Sequence, residues 1–194
     1  FSAGLRSFLR QDPDIMLVGE TRDHETAEIT IQTSLTGHLV FSTLHTNDAA
    51  GAVTRLLDMG VEPFLVASSV IGIMAQRLVR RICPDCKEPY HPDHDALLAM
   101  GIPKEEWEST VFYRGKGCEK CKFLGYRGRT GLFEIFPMSE RIRELTVQRA
   151  SASTIKQQAL KEGMTTLRQY GWHVVRQGIS TLDEVLRVTA EEDS

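Results

Sequence analysis

The chain has no hydrophobic run long enough to cross a bilayer. One apolar stretch free of charged residues runs from Pro63 to Gln76 and is broken by Ser68, Ser69 and Gly72, well short of the roughly 20 apolar residues a spanning helix needs. It has no charge excess. Lys plus Arg is 23 against 26 Asp plus Glu, a net charge of -3, which excludes a polyanion binder working through bulk positive charge. It has no internal repeat and no low-complexity segment. With 41% hydrophobic and 25% charged residues, a collagen-like or wholly disordered chain is excluded as well. No signal peptide is visible, and the chain opens on Phe-Ser-Ala-Gly instead of Met; we expect a piece of something longer. Its 194 residues suit one domain, or one with a small appendage.

Cysteine is scarce but ordered. Cys83, Cys86, Cys118 and Cys121 read C-x2-C, then 31 residues, then C-x2-C. Two such pairs can converge as the knuckles of a tetrahedral thiolate site, which suits Zn2+ because that ion accepts four sulfurs without redox change. Gly115, Gly117, Gly125 and Gly128 surround the second pair, and glycine lets backbone amides turn toward thiolates. Three rivals stand beside this reading. Two disulfides have three connectivities, although a chain of this size can build a core without them. Cys83-Pro84-Asp85-Cys86 has the form of a redox dithiol. Four unconnected buried thiols are the third. A four-thiolate ion would be structural, because its coordination sphere is full.

Periodicity places the elements. Ser2 to Arg10 reads as a short amphipathic helix stopped by Gln11-Asp12-Pro13. Asp14 to Gly19 is an apolar run of strand length, expected to be buried on both faces. Asp23 caps a helix to about Leu35, and His38 to Thr43 is a second buried strand. Asp48 caps a helix to Met59, and Pro63 opens another, expected to run to Ala75. Strand–helix–strand–helix order predicts a parallel, helix-covered sheet. Three segments follow: 1–81, the strand–helix core; 82–136, rich in Cys, Gly and Pro; and 137–194, helical. In the second, Asp93 to Met100 reads as a helix and Thr130 to Phe136 as a strand. In the third, four helices are expected over Ser139–Gln148, Ser153–Lys161, Thr165–Gln177 and Thr181–Thr189, before an acidic tail from Glu191.

The chemistry gathers at the ends of the first two strands. One ends in Glu20, Arg22 and Asp23; the next ends in Ser42, Thr43, His45 and Asn47. In an open α/β sheet, ligands bind at that carboxyl edge. Nucleoside triphosphatases use it to place an acid beside Mg2+ and the attacking water. Of the histidines, His45 is the one surrounded by hydroxyls and an amide; His24, His91, His94 and His173 have no evident site.

Leu5-Arg-Ser-Phe-Leu-Arg-Gln-Asp-Pro-Asp14, Val18-Gly-Glu-Thr-Arg-Asp23, Thr36-Gly-His-Leu-Val and Ser42-Thr-Leu-His-Thr-Asn47 resemble the type II secretion and type IV pilus ATPase superfamily. The likeness continues through Arg55-Leu-Leu-Asp-Met-Gly60, Ala75-Gln-Arg-Leu78, both cysteine pairs and Gly125-Tyr-Arg-Gly-Arg-Thr-Gly131. It is strongest to the type II secretion branch (GspE-like), with the pilus-assembly branch (PilB-like) next. The resemblance implies an α/β fold: the carboxyl-terminal part of a RecA-like P-loop ATPase core, with a tetracysteine zinc-binding insert and a helical carboxyl-terminal region. It implies that Glu20 is the catalytic carboxylate and His45 a γ-phosphate sensor. Gly19, Arg22, His38, Gln76 and Arg77 would lie at the nucleotide, and Cys83, Cys86, Cys118 and Cys121 would hold structural Zn2+. ATP and Mg2+ are the implied ligands of the full-length protein, which would be a homo-hexamer. It would be cytoplasmic and peripheral on the inner membrane, docked on secretion platform proteins (GspL-like and GspF-like). Thr21 departs from the larger apolar residue usual in relatives. No Gly-x-x-x-x-Gly-Lys-Ser/Thr occurs, so the phosphate-cradling loop is expected upstream, and residues 1–194 alone are expected to be inactive.

A rival class is a zinc ribbon gripping nucleic acid. Residues 114–129 carry Arg114, Lys116, Lys120, Lys122, Arg127 and Arg129 against Glu119 alone. The blander reading is that these cations meet Glu105, Glu106 and Glu108 or a partner protein, and no nucleic acid is expected.

Overall fold

A computed structural model of the chain describes Gly4, Gln11 and residues 13–190. The helix expected over Ser2–Arg10 and the tail from Glu191 lie outside the described residues. In chain order the elements are β1 (Ile15–Val18), α1 (His24–Leu35), β2 (Leu39–Ser42), α2 (Ala49–Asp58), α3 (Pro63–Ser69), β3 (Gly72–Ile82), β4 (Lys87–Tyr90), α4 (His94–Ala99), α5 (Lys104–Glu108), β5 (Phe112–Gly115), β6 (Tyr126–Pro137), α6 (Glu140–Val147), α7 (Ala152–Lys161), α8 (Leu167–Arg176) and α9 (Leu182–Thr189). Short 3-10 turns at Pro84–Cys86 and Glu119–Cys121 carry the cysteines. Residues cluster into two compact units, one of 1–74 with 135–164 and one of 75–134 with 165–194. Among the described residues, no helix is long and apolar enough to cross a membrane.

In the first unit, β1 and β2 pair in parallel, from Ile15↔Leu39 to Val18↔Ser42. Strand–helix–strand order dictates this, since α1 returns the chain to the edge where β1 began. Met16 and Val18 point into the core with Ala27, Ile29 and Ile31 of α1. The other face is open: Ile15 is 61% and Leu17 73% exposed, and Phe41 54%. The expectation of strands buried on both faces is therefore corrected. The apolar run marks a strand, but within the described residues only one face of it is covered. Asp23 caps α1 by accepting from the Thr26 amide at 2.8 Å. Asp48 caps α2 in the same way from Gly51, also at 2.8 Å.

The helix expected to run to Ala75 ends at Ser69, and β3 begins at Gly72. Val70, Ile71 and Ile73 are β-branched around a glycine, a run that favours a strand over a helix. β3 pairs with β6. Within the first unit Met138 N donates to Ile71 O, and within the second Cys83 N donates to Gly125 O. The four helices expected after residue 138 are all present, each within about two residues of its expected ends.

In the second unit, Val79, Phe112, Leu132, Leu167, Trp172, Val175, Leu182 and Val185 form one buried cluster. α8 and α9 approach closely at Gly171, where a Cβ would stand 2.2 Å from Val185 Cγ1. Glu184 of α9 is 1% exposed. Its carboxylate accepts from Arg80 Nη2 and Arg187 Nη2, each at 2.7 Å, and from the Arg80 amide at 3.1 Å. The Arg80 guanidinium also lies 4.2 Å from the Tyr126 ring centroid. Burial alone would raise the Glu184 pKa; the hydrogen bonds from Arg187 and Arg80 outweigh it and hold the group at about 2.

A folded pKa below the unfolded one contributes stability above about pH 4.5 that is lost as pH falls toward about 2. Glu184→Gln should cost about 1.5–3 kcal/mol at pH 7, read as a fall in melting temperature. The stability gap from the parent should narrow below about pH 4. A gap constant from pH 7 to pH 3 would refute the ion-pair account.

Candidate functional site

Parallel pairing puts the carboxyl ends of β1 and β2 on one edge, and the chain stays tied there beyond the last strand residues. The Thr21 amide donates to Thr43 O at 2.9 Å. Thr43 Oγ1 donates to Gly19 O at 2.6 Å. The hydroxyls of Thr21 and Ser42 lie 2.7 Å apart, and Thr21 is 4% exposed. Glu20 projects from this edge with its side chain 28% exposed. Its Oε1 pairs with Arg22 Nε at 2.6 Å and with His45 Nε2. The carboxyl is held below its ordinary range, first by the Arg22 hydrogen bond and then by His45, against partial desolvation. It is therefore ionised at neutral pH. His45 is the more open partner, with its side chain 79% exposed.

The loop bearing His45 is fixed at its far end. Asp48 caps α2, and its Oδ2 pairs with Lys156 Nζ of α7 at 3.2 Å. Both side chains are 20% exposed. Lys156 is 108 residues from Asp48, so no local pattern in the sequence could have pointed to it.

The other expected nucleotide residues are placed differently. Gly19 lies at the edge, and a Cβ built on it meets nothing within 4 Å. Arg22 pairs with Glu20. His38, by contrast, stands at the opposite end of β2, its Nδ1 3.1 Å from both Thr33 O and Thr36 Oγ1. A four-residue strand rising about 3.3 Å per residue separates it from the Glu20 edge, roughly 13 Å. Parallel topology thus keeps His38 away from His45. Gln76 is exposed and Arg77 half-buried on β3, in the second unit.

The second unit holds the cysteines. All four are free, and their sulfurs lie within 4.8 Å of one another. Cys83–Cys118 is 4.0 Å, Cys86–Cys121 3.9 Å and Cys118–Cys121 3.8 Å. A regular tetrahedron with metal–sulfur bonds of about 2.3 Å has edges of about 3.8 Å, so the four residues fit a tetrahedral ion. The amides of Cys118 and Gly125 point at Cys121 Sγ from 3.2 and 3.3 Å. Burial pushes the Cys86 thiol up to about 12. Cys121 is desolvated too, but the Cys118 and Gly125 amides and the neighbouring thiols bring it down to about 6. The loop needs its glycines: a Cβ on Gly115 would lie 2.0 Å from Gly125 O, and Gly117 has φ +93°.

The cations here are neutralised from a different source than expected. Lys120 and Arg127 pair with Asp85, and Arg114 with Glu88. Glu106 instead accepts from Trp172 Nε1 at 2.9 Å, and Glu108 pairs with Lys104.

Residues 1–187 match the family model described as "Type II/IV secretion system protein". The chain is 51% identical over 191 residues to "Type II secretion system ATPase E" of Vibrio cholerae, covering 98% of this chain and 37% of that protein. It is 50% identical over 193 residues to "Type IV pilus assembly ATPase PilB" of Myxococcus xanthus, covering 99% of this chain and 34% of that protein. The chain thus spans about a third of the length of these curated relatives. Among solved structures, the pilus retraction motor PilT with bound ADP superposes with a TM-score of 0.65 at 25% identity, over 96% of this chain and 43% of that one. The Legionella pneumophila ATPase DotB superposes with a TM-score of 0.67 at 19% identity, over 98% and 42%. These likenesses carry the P-loop ATPase fold class.

Purified chain should contain about one metal ion by elemental analysis, and Cys83→Ser should remove it. Loss of several kcal/mol at roughly 2–4 °C per kcal/mol should lower the melting temperature by about 10 °C. A metal-free chain with an unchanged melting temperature would show the sulfur cluster to be incidental.

Proposed function

The chain belongs to the type II/IV secretion system protein family, and from that premise we propose that it is the carboxyl-terminal portion of a hexameric ATPase that powers protein export through the type II secretion system. One observation carries the reading: Glu20 and His45, delivered by two different strand ends, meet at one carboxyl edge. Glu20 is the catalytic carboxylate. Both its partners lie against Oε1, and its carboxylate is the group that accepts a proton from an attacking water. An ionised carboxylate in that place polarises water without first having to lose a proton of its own. His45, exposed beside it, is the γ-phosphate sensor, and Arg22 sets the charge of Glu20. ATP and Mg2+ supply the scissile phosphoanhydride bond and its charge neutralisation when bound.

The pilus-assembly alternative rests on the 50% identity to the Myxococcus protein. It uses the same residues for the same chemistry and differs in the machine that is driven. Residues 82–136 form the metal-binding insert of either motor, with Zn2+ as the ion, since four soft thiolates at tetrahedral spacing suit it and leave no open position for catalysis. The same proposal places the hexamer peripherally at the inner membrane, on secretion platform proteins.

In the intact oligomeric ATPase that carries this sequence, Glu20→Gln should cut ATP turnover by roughly a hundredfold or more. Nucleotide affinity should stay within about threefold, because the change keeps shape and removes only charge. Turnover near the parental rate would refute the assignment.

A further inference from the structure

We propose that Thr43 is the positioning residue for Glu20, fixing the backbone on both sides of that carboxylate to the strand that also carries His45. The inference rests on the reading of Glu20 as the water-polarising group.

Glu20 lies outside the β ladder, since β1 ends at Val18 and β2 at Ser42. The residue before it is glycine, the least restrained backbone available. Left alone, Gly19–Glu20 would sample many directions, and a carboxylate aimed by such a hinge would meet His45 only part of the time. Thr43 removes that freedom from both flanks. Its hydroxyl holds the Gly19 carbonyl at 2.6 Å, and its own carbonyl accepts the Thr21 amide at 2.9 Å. The two bonds bracket Glu20. The β-branched side chain of threonine makes the bracket stiff, because its χ1 is restricted.

The same residue stands two positions before His45. The loop that presents the imidazole therefore starts at the point that fixes the carboxylate, and ends at Asp48, held by the α2 cap and by Lys156. Glu20 and His45 share one origin, so motion of either strand end moves both together. Thr43 Oγ1 is bonded to a carbonyl and not to the carboxylate. Its effect is exerted through Glu20, and it is not itself a catalytic residue.

The test is a substitution series in the intact oligomeric ATPase. Thr43→Val and Thr43→Ala delete the hydroxyl and keep the main-chain carbonyl, whereas Thr43→Ser keeps both. Misplacement of a reacting group by about 1 Å can cost about a hundredfold. Thr43→Val should therefore lower kcat by roughly ten- to a hundredfold, with the KM for ATP within about twofold, and Thr43→Ala should match it. Thr43→Ser should restore kcat to within about threefold of the parent. Parental kcat in Thr43→Val or Thr43→Ala would overturn the inference. So would a loss in Thr43→Ser equal to theirs, or a change confined to KM. Should Thr43→Val fail to fold, the comparison of alanine with serine decides by the same outcomes. Glu20→Gln separates the two levels. If it retains turnover, the reading of the site fails; if it is inactive while Thr43→Val is unimpaired, only the positioning role fails.

Discussion

Parallel pairing of two four-residue strands is the constraint on which the candidate catalytic edge depends. An antiparallel partner, or a slip of one residue, would move Glu20 and His45 apart or turn their strands over. The pairing is built locally: α1 crosses between β1 and β2, is capped by Asp23, and packs beside β2. A main-chain bond from Thr21 to Thr43 and the Thr43 hydroxyl on the Gly19 carbonyl then extend the pairing past the strands. The result is an ionised carboxylate and an exposed imidazole in contact, on an edge that the fold class uses for ligands.

The second unit is organised differently. It is built on a buried aliphatic and aromatic cluster, on Glu184 clasped by two arginines, and on four close sulfurs wrapped in glycine turns. None of these leaves a vacant position for chemistry. The amides aimed at Cys121 and the four sulfurs within tetrahedral reach suit a site that could hold a metal ion. The cations around the knuckle are partly answered by Asp85 and Glu88 inside the same unit. That makes the basic run Arg114–Arg129 less of a polyanion grip than its composition suggests.

Much of this was legible from residues alone, because the signals were local. C-x2-C twice, an apolar run ending in Gly-Glu, and Asp before a periodic segment each dictate geometry within a few residues. Glu20 and His45 could be placed on one edge because helix-linked strands pair in parallel. The illegible parts were those that depend on what covers a surface or on distant partners. The open face at Ile15, Leu17 and Phe41 reads from sequence as a buried strand, since apolarity does not report which face is packed. β3 was hidden in a stretch that begins as a helix after Pro63, where β-branched residues take over only at Val70. Nothing local in the sequence marks Arg80, because its partner Glu184 lies 104 residues away. His38 matched a motif and lies at the start of β2, away from the Glu20 edge, which only the strand direction reveals.

The most direct test of the central claim is a double-mutant cycle on ATP turnover, using Glu20→Gln, His45→Ala and the pair together in the intact protein that carries this sequence. Residues that act as a unit give non-additive losses. The account predicts that the double variant is no slower than Glu20→Gln alone, within about threefold. Losses that multiply as if the two residues were independent would contradict it.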